Sequence, residues 1–305
     1  MIFFGNGPGG NRRLPPPVQV RLNRSLSAPA DALSAVFPFS GAAENLTGLR
    51  VLDDDGTVVF DGIVDEQIFL LDNSARMKLE ARSRAALLLD NEAAAETICA
   101  PSLPLIFSRY FAPRGFTRFL GDSRSFSGEL TVTKGMSEWQ AAELFCKKFL
   151  GVAPRAENDV LDASGEDTGE ALCFGGENGI PCSALSAGYF YCRMLSELVA
   201  AGTDGNGSVL RCAEADALGI QRRRFLSGSG NGDALFRSAW EKSLEITVTC
   251  PGRVSARPGE RAAVNAAPWD ETGFCIWETD YAAGPEGETT KMILRRTGTC
   301  GLHSG

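Results

Sequence analysis

Residues 49–64 read Leu-Arg-Val-Leu-Asp-Asp-Asp-Gly-Thr-Val-Val-Phe-Asp-Gly-Ile-Val, two apolar runs joined by Asp55-Gly56. A chain carrying this pattern is committed to antiparallel sheet, because Asp-Gly supplies the positive-φ pair of a type I′ turn between strands. Val58 and Phe60, two residues apart, are expected on one face and Val59 on the other. Gly62 suits a bend or bulge in the second strand. Met77–Arg82 continues the alternation, and Ser83–Asn91 reads as a short helix closing a small curled sheet. Eighteen Phe against four Trp and four Tyr, with 34 Gly and 15 Pro, favour short strands and many turns over long helices. The fold class expected is α+β, mainly β, and 305 residues are enough for two or three domains.

Along the chain, the Gly- and Pro-rich residues 1–17 are expected to form a flexible arm. Val18–Leu22 and Leu33–Phe39 add strands to the first β domain, 18–99. Ser102-Leu103-Pro104 opens a helix through Tyr110, Phe126–Thr133 reads as a strand, and Ser137-Glu138-Trp139-Gln140 is a capping box for a helix over Ser137–Leu150. These lie in an α+β unit, 100–179, whose end is an acidic, glycine-rich linker from Asn158. A second β domain follows over 180–305, with Ser208–Ala213, a helix over Asp233–Lys242, a strand over Leu244–Cys250 and a hairpin of Phe274–Tyr281 with Thr289–Leu294. Tyr189–Val199 fits helix or strand on pattern alone.

Charge excludes a general nucleic-acid-binding surface: the net −8 divides into −1 over residues 1–150 (16 Lys and Arg, 17 Asp and Glu) and −7 over 151–305 (14 and 21). Nine cysteines are spaced irregularly, with no C-x-x-C, as expected of reduced thiols in a reducing cytosol. No apolar run approaches the ~18 residues of a membrane span, and no leader is evident at Met1-Ile2-Phe3-Phe4. The only histidine is His303, read as a frayed terminus unsuited to a catalytic triad or a metal site. Gly5–Gly10 fits G-x-G-x-x-G, but Pro15-Pro16-Pro17 follows where a nucleotide site needs a helix. Asp53-Asp54-Asp55-Gly56 lacks the later glutamate that a calcium loop requires. No catalytic residue, metal ligand or cofactor site is therefore expected, and the chain is read as a non-enzyme. Arg222-Arg223-Arg224 is the one candidate site, a subunit contact weighed against solvated arginines with one paired to an acid.

The ordered motifs resemble a known family. The hairpin Gly56-x-x-x-Phe60-x-Gly62-x-Val64, the segment Ala81-Arg82-Ser83 through Leu89-Asp90-Asn91, Tyr191-Cys192-Arg193-Met194-Leu195-Ser196-Glu197-Leu198, and Leu218-Gly219-Ile220-Gln221-Arg222-Arg223-Arg224 follow the order found in phage tail baseplate hub proteins of the late-control protein D family. The likeness covers about 18–296, with departures at 157–179 and 227–232. It implies two tube-type β-barrel-like domains with a small inserted α+β unit, and it favours a strand at Tyr191–Leu198. It implies a homotrimer joining a sixfold tail tube protein to a trimeric central spike protein, beside other baseplate proteins, with DNA only in transit and no membrane insertion. The place implied is the virion tail baseplate, assembled in the host cytoplasm. The alternative is a tail-associated peptidoglycan hydrolase, and a third reading is a carbohydrate-binding β-sandwich.

Overall fold

The computed structural model describes every residue except 42, 72–73, 166–169, 201–207, 227–231, 268, 299–301 and 305. It divides into two compact units. The first comprises Met1–Asp167 with Asp280–Glu288, and the second Thr168–Thr279 with Thr289–Gly305. Mainly β structure with a few short helices is what the composition and the hairpin predict.

In the first unit, strands β1 (Ile2–Gly7), β2 (Gly10–Arg13), β3 (Gln19–Ser25), β4 (Ala32–Pro38), β5 (Gly48–Leu52), β6 (Val58–Leu71) and β7 (Ala75–Ser83) run in the order β3-β4-β7-β6-β5-β1-β2. Every pair in this order is antiparallel. Alternation drives the assembly: Val20, Leu22, Leu33, Ala35, Phe37, Leu49, Val51, Met77, Leu79 and Ala81 are buried, while the residues between them are not. Arg21 forks onto Asp280 at 2.8 and 2.7 Å, and Tyr281 joins the same core.

Residues 1–17 are not a flexible arm. Phe3 is buried, β1 pairs with β5 from Ile2↔Leu52 to Asn6↔Gly48, and β2 folds back on β1. Glycine makes this possible rather than preventing it, because a Cβ on Gly7 would lie 2.1 Å from the carbonyl oxygen of Asn45.

The Asp55-Gly56 turn also departs from type I′. Only Gly56 has positive φ, at 84°, and its N–H donates to the Asp53 carbonyl at 3.0 Å. A bulge follows, since Leu52 pairs with Val58 and Val51 with Phe60, leaving Val59 as the extra residue. Val59 and Phe60 therefore both enter the core while Val58 is only half-buried, contrary to strict alternation.

The rest of the unit is built around helices α1 (Ala86–Asp90), α2 (Leu103–Ile106) and α3 (Glu138–Phe145), with β8 (Glu96–Cys99), β9 (Arg118–Leu120), β10 (Glu129–Val132), β11 (Arg155–Glu157) and β12 (Val160–Asp162). Ser102 caps α2 and the capping box of Ser137 and Gln140 is complete. The helical stretches expected through Tyr110 and Leu150 are present. In both, the last turn widens to a π-helical turn, over Phe107–Phe111 and Cys146–Leu150. Glu138 lies buried in the first turn of α3, where Arg114 holds both its oxygens at 2.8 Å. The stretch from Asn158 read as a linker contains β12 and, in the second unit, β13 (Leu172–Phe174). Their short apolar cores outweigh the flanking acids, and Leu161 and Phe174 are fully buried.

In the second unit, β14 (Ala184–Tyr189) pairs antiparallel with β18 (Leu244–Pro251), and β18 with β21 (Gly287–Arg296). β19 (Arg261–Ala266) pairs with β20 (Trp269–Gly284) and, in parallel, with β13. Leu244, Ile246, Val248 and Cys250 alternate into a core with Val264, Phe274, Ile276, Met292 and Leu294. A smaller sheet holds β15 (Glu197–Ala200), β16 (Ser208–Cys212), β17 (Arg223–Leu226) and β22 (Leu302–Ser304), beside helices α4 (Ala213–Ala217) and α5 (Gly232–Glu241). The strand expected over Tyr191–Leu198 is only partly realised: Tyr191–Arg193 is a 3₁₀ turn, and β15 begins at Glu197. His303 does not fray, since Leu302–Ser304 pairs with β16.

Candidate interaction surfaces

Arg222, Arg223 and Arg224 lead into β17, an end strand of the small sheet. β17 runs parallel to β15, so Arg223 stands opposite Glu197 and Arg224 opposite Leu198. The arginines differ in their partners. Arg223 Nε donates to Glu197 Oε1 at 2.6 Å, and Arg222 Nη1 donates to the Tyr191 carbonyl at 3.1 Å. The Arg222 backbone is tied to Ser196, whose hydroxyl accepts from the amide at 2.9 Å and donates to the carbonyl at 3.0 Å. Arg224 is exposed and has no hydrogen-bond or ion-pair partner among the described residues. Phe225 beside it is 74% exposed.

A second polar surface, in the first unit, escaped the sequence reading. Register places Arg13 opposite Phe4, Phe4 opposite Arg50 and Arg50 opposite Asp61. The row continues to Arg84, whose amide donates to the Asp61 carbonyl at 3.3 Å and whose Nη2 donates to the Asp61 carboxylate at 2.8 Å. Beside it, Asn11 stands opposite Asn6. Of these, Phe4, Asn6, Asn11, Arg50, Asp61 and Arg84 line much of an open groove of about 380 Å³, and Arg13 stands outside it on the same row. The available signal was Ile2-Phe3-Phe4 followed by Gly7-Pro8-Gly9-Gly10, an apolar run and a turn. The proline run after it pointed instead to a mobile terminus.

Other candidate chemistry resolves locally. The G-x-G-x-x-G segment is the β1–β2 hairpin and leads into no helix. Asp53 and Asp55 accept from the amides of Asp54 and Thr57 at 2.9 and 2.8 Å, the second bond holding the Asp55 carboxyl below its usual range. Among the described residues no group of three or more His, Cys, Asp or Glu is placed to hold a metal ion. No described helix is long and apolar enough to cross a membrane.

The eight described cysteines are free. Burial pushes the Cys146 thiol up to about 12, with Glu143 adding to it. Burial likewise raises Cys250 to about 12, helped by the neighbouring Cys182. At neutral pH these thiols hold almost no thiolate, the form that reacts with alkylating agents. Iodoacetamide on the native protein is expected to label the exposed Cys99 and Cys192 first, and Cys146 and Cys250 only in denaturant, where all nine thiols should react without reductant. Peptide mass spectrometry reads this directly, and native labelling of Cys146 would contradict its burial.

No protein-family model matches the sequence, and no curated protein matches it. Solved structures do match. The 43 kDa tail protein of prophage MuSo2 from Shewanella oneidensis has a TM-score of 0.78 at 16% identity, over 97% of this chain and 98% of that one. A tail protein from Neisseria meningitidis has a TM-score of 0.76 at 18% identity, over 98% and 97%. An Escherichia coli component of the type VI secretion system, described as similar to T4 bacteriophage tail proteins gp27 and gp5, has a TM-score of 0.61 at 11% identity, over 92% and 74%. The fold is thus the one seen in these tail proteins, in keeping with the resemblance that the motif order carries.

Proposed function

We propose that this chain is a structural subunit of the baseplate hub of a contractile phage tail or a related injection particle. One observation carries the reading: end-to-end likeness of fold to two tail proteins, over at least 97% of each chain. Three copies, each with two sheet-rich units, would supply six similar elements around one axis. Such a ring joins a sixfold tail tube protein to a trimeric spike protein, with other baseplate proteins outside and DNA passing through. Its work is shape and symmetry, not turnover. Arg222, Arg223 and Arg224 fit a subunit contact in this arrangement, because β17 is an end strand bearing an Arg224 without partner among the described residues and an exposed Phe225.

A reconstruction of the intact particle tests the reading. Three copies on the tail axis, between tube and spike, are the expected result. Six or more copies at the periphery, or a chain absent from the particle, would overturn it. Release of peptidoglycan fragments by the purified chain, abolished by one Asp or Glu substitution, would reassign it as a tail-associated hydrolase.

A further inference from the structure

The cross-strand row on the first unit carries charge that the fold leaves uncompensated. Asp61 is engaged by Arg84, while Arg13 and Arg50 are exposed and without partner among the described residues. Two strand spacings separate Arg13 from Arg50, about 10 Å, so the two guanidinium groups stand on either side of Phe4. Phe4, Ile63 and Leu87 give the groove apolar wall, and Asn6 and Asn11 give it amides.

We propose that this face docks an acidic segment of a second copy of the chain. Charge complementarity selects the occupant: residues 1–150 carry −1 and residues 151–305 carry −7. A chain of net charge −8 repels its own copies unless contact brings unlike patches together. The second unit offers exposed acids for this, among them Glu177 in the glycine-rich turn between Phe174 and Ile180. A polypeptide fits better than a nucleic acid. Asp61 stands between Arg50 and Arg84 and repels any anion, but a polypeptide can set a neutral residue there and a carboxylate beside Arg50, whereas a nucleic-acid backbone is charged at every unit. The asparagine amides can also pair with peptide groups. The contact joins different surfaces of two copies, so it is heterologous and can propagate into a closed ring. The proposal rests on the hub reading and names the surface that would hold neighbouring copies together.

Sedimentation velocity on the full chain, with Arg13→Glu, Arg50→Glu and Arg50→Lys variants at low and high salt, tests it. Wild-type protein should self-associate. Arg50→Glu should weaken association by about tenfold or more, as loss of one paired charge does. High salt should weaken wild type in the same sense, and Arg50→Lys should retain association. A zero-length carbodiimide applied to Arg50→Lys, in a mixture of isotope-labelled and unlabelled protein, should join position 50 of one copy to a carboxylate of the other copy's second unit. Self-association unchanged in Arg50→Glu, without that cross-link, overturns this surface and leaves the ring intact. A wild-type chain that stays monomeric at every concentration overturns the surface and the self-assembling ring together. Arg50-dependent binding of a labelled single-stranded oligonucleotide, without self-association, overturns the choice of a polypeptide.

Discussion

Replacing Phe60 by alanine is expected to cost about 3–5 kcal/mol of folding stability, the range for emptying a fully buried phenylalanine site. Phe60 is 1% exposed and belongs to the same core as Val51, Met77 and Leu79. It reaches that core because the bulge at Val59 turns two consecutive residues inward. The surrounding side chains come from paired strands whose backbone bonds limit their collapse into a cavity. Urea unfolding followed by circular dichroism measures the loss, and a midpoint within error of wild type would contradict the register. Val58→Ala, at a half-buried position on the same strand, should cost much less.

Gly62→Ala is expected to destabilise by about 3 kcal/mol, the upper part of the usual range for overpacking. An added Cβ would stand 2.1 Å from the Arg82 carbonyl oxygen and 2.8 Å from Phe60 Cζ. The first contact is to backbone and cannot be relieved by a rotamer change. Gly62 stands opposite Leu49 on β5 and Ser83 on β7, so moving it disturbs two ladders. Fewer unfolded-state conformations would favour alanine by only about 0.4–1 kcal/mol, too little to offset the clash. Urea unfolding again provides the measurement, with hydrogen exchange along β6 and β7 showing where protection is lost. Because the second contact is with Phe60, the double variant with Phe60→Ala should be less destabilised than the sum of the single effects, by the relief of that contact alone. A Gly62→Ala protein as stable as wild type would contradict the close approach of β6 and β7.

The candidate surfaces were unevenly legible. Arg222-Arg223-Arg224 stands out in the sequence as a run of like charge, and β17 does contain two of the three. Which arginine is paired could not be read, because Glu197 lies on another strand and reaches Arg223 only through parallel register. The row from Arg13 to Arg84 was invisible for the same reason. Its five residues come from β2, β1, β5, β6 and the start of the chain into α1, and none has a telling local motif.

Local patterning alone decided much of the framework. The alternation of Leu244, Ile246, Val248 and Cys250 marks a strand with one buried face, and the Ser137–Gln140 box marks a helix start. Each depends on residues a few positions apart, whose geometry is the same wherever the segment packs. The N-terminal hairpin, the inward turn of both Val59 and Phe60, and the 3₁₀ turn at Tyr191–Arg193 were decided by tertiary structure. In the first case local preference was outweighed by a partner distant in sequence, since β1 gains a ladder with β5; in the second, burial of both Val59 and Phe60 in the assembled core outweighed strict alternation. Those hydrogen bonds and buried rings exist only once the sheet has assembled, so no window of neighbouring residues contains the information that selects them.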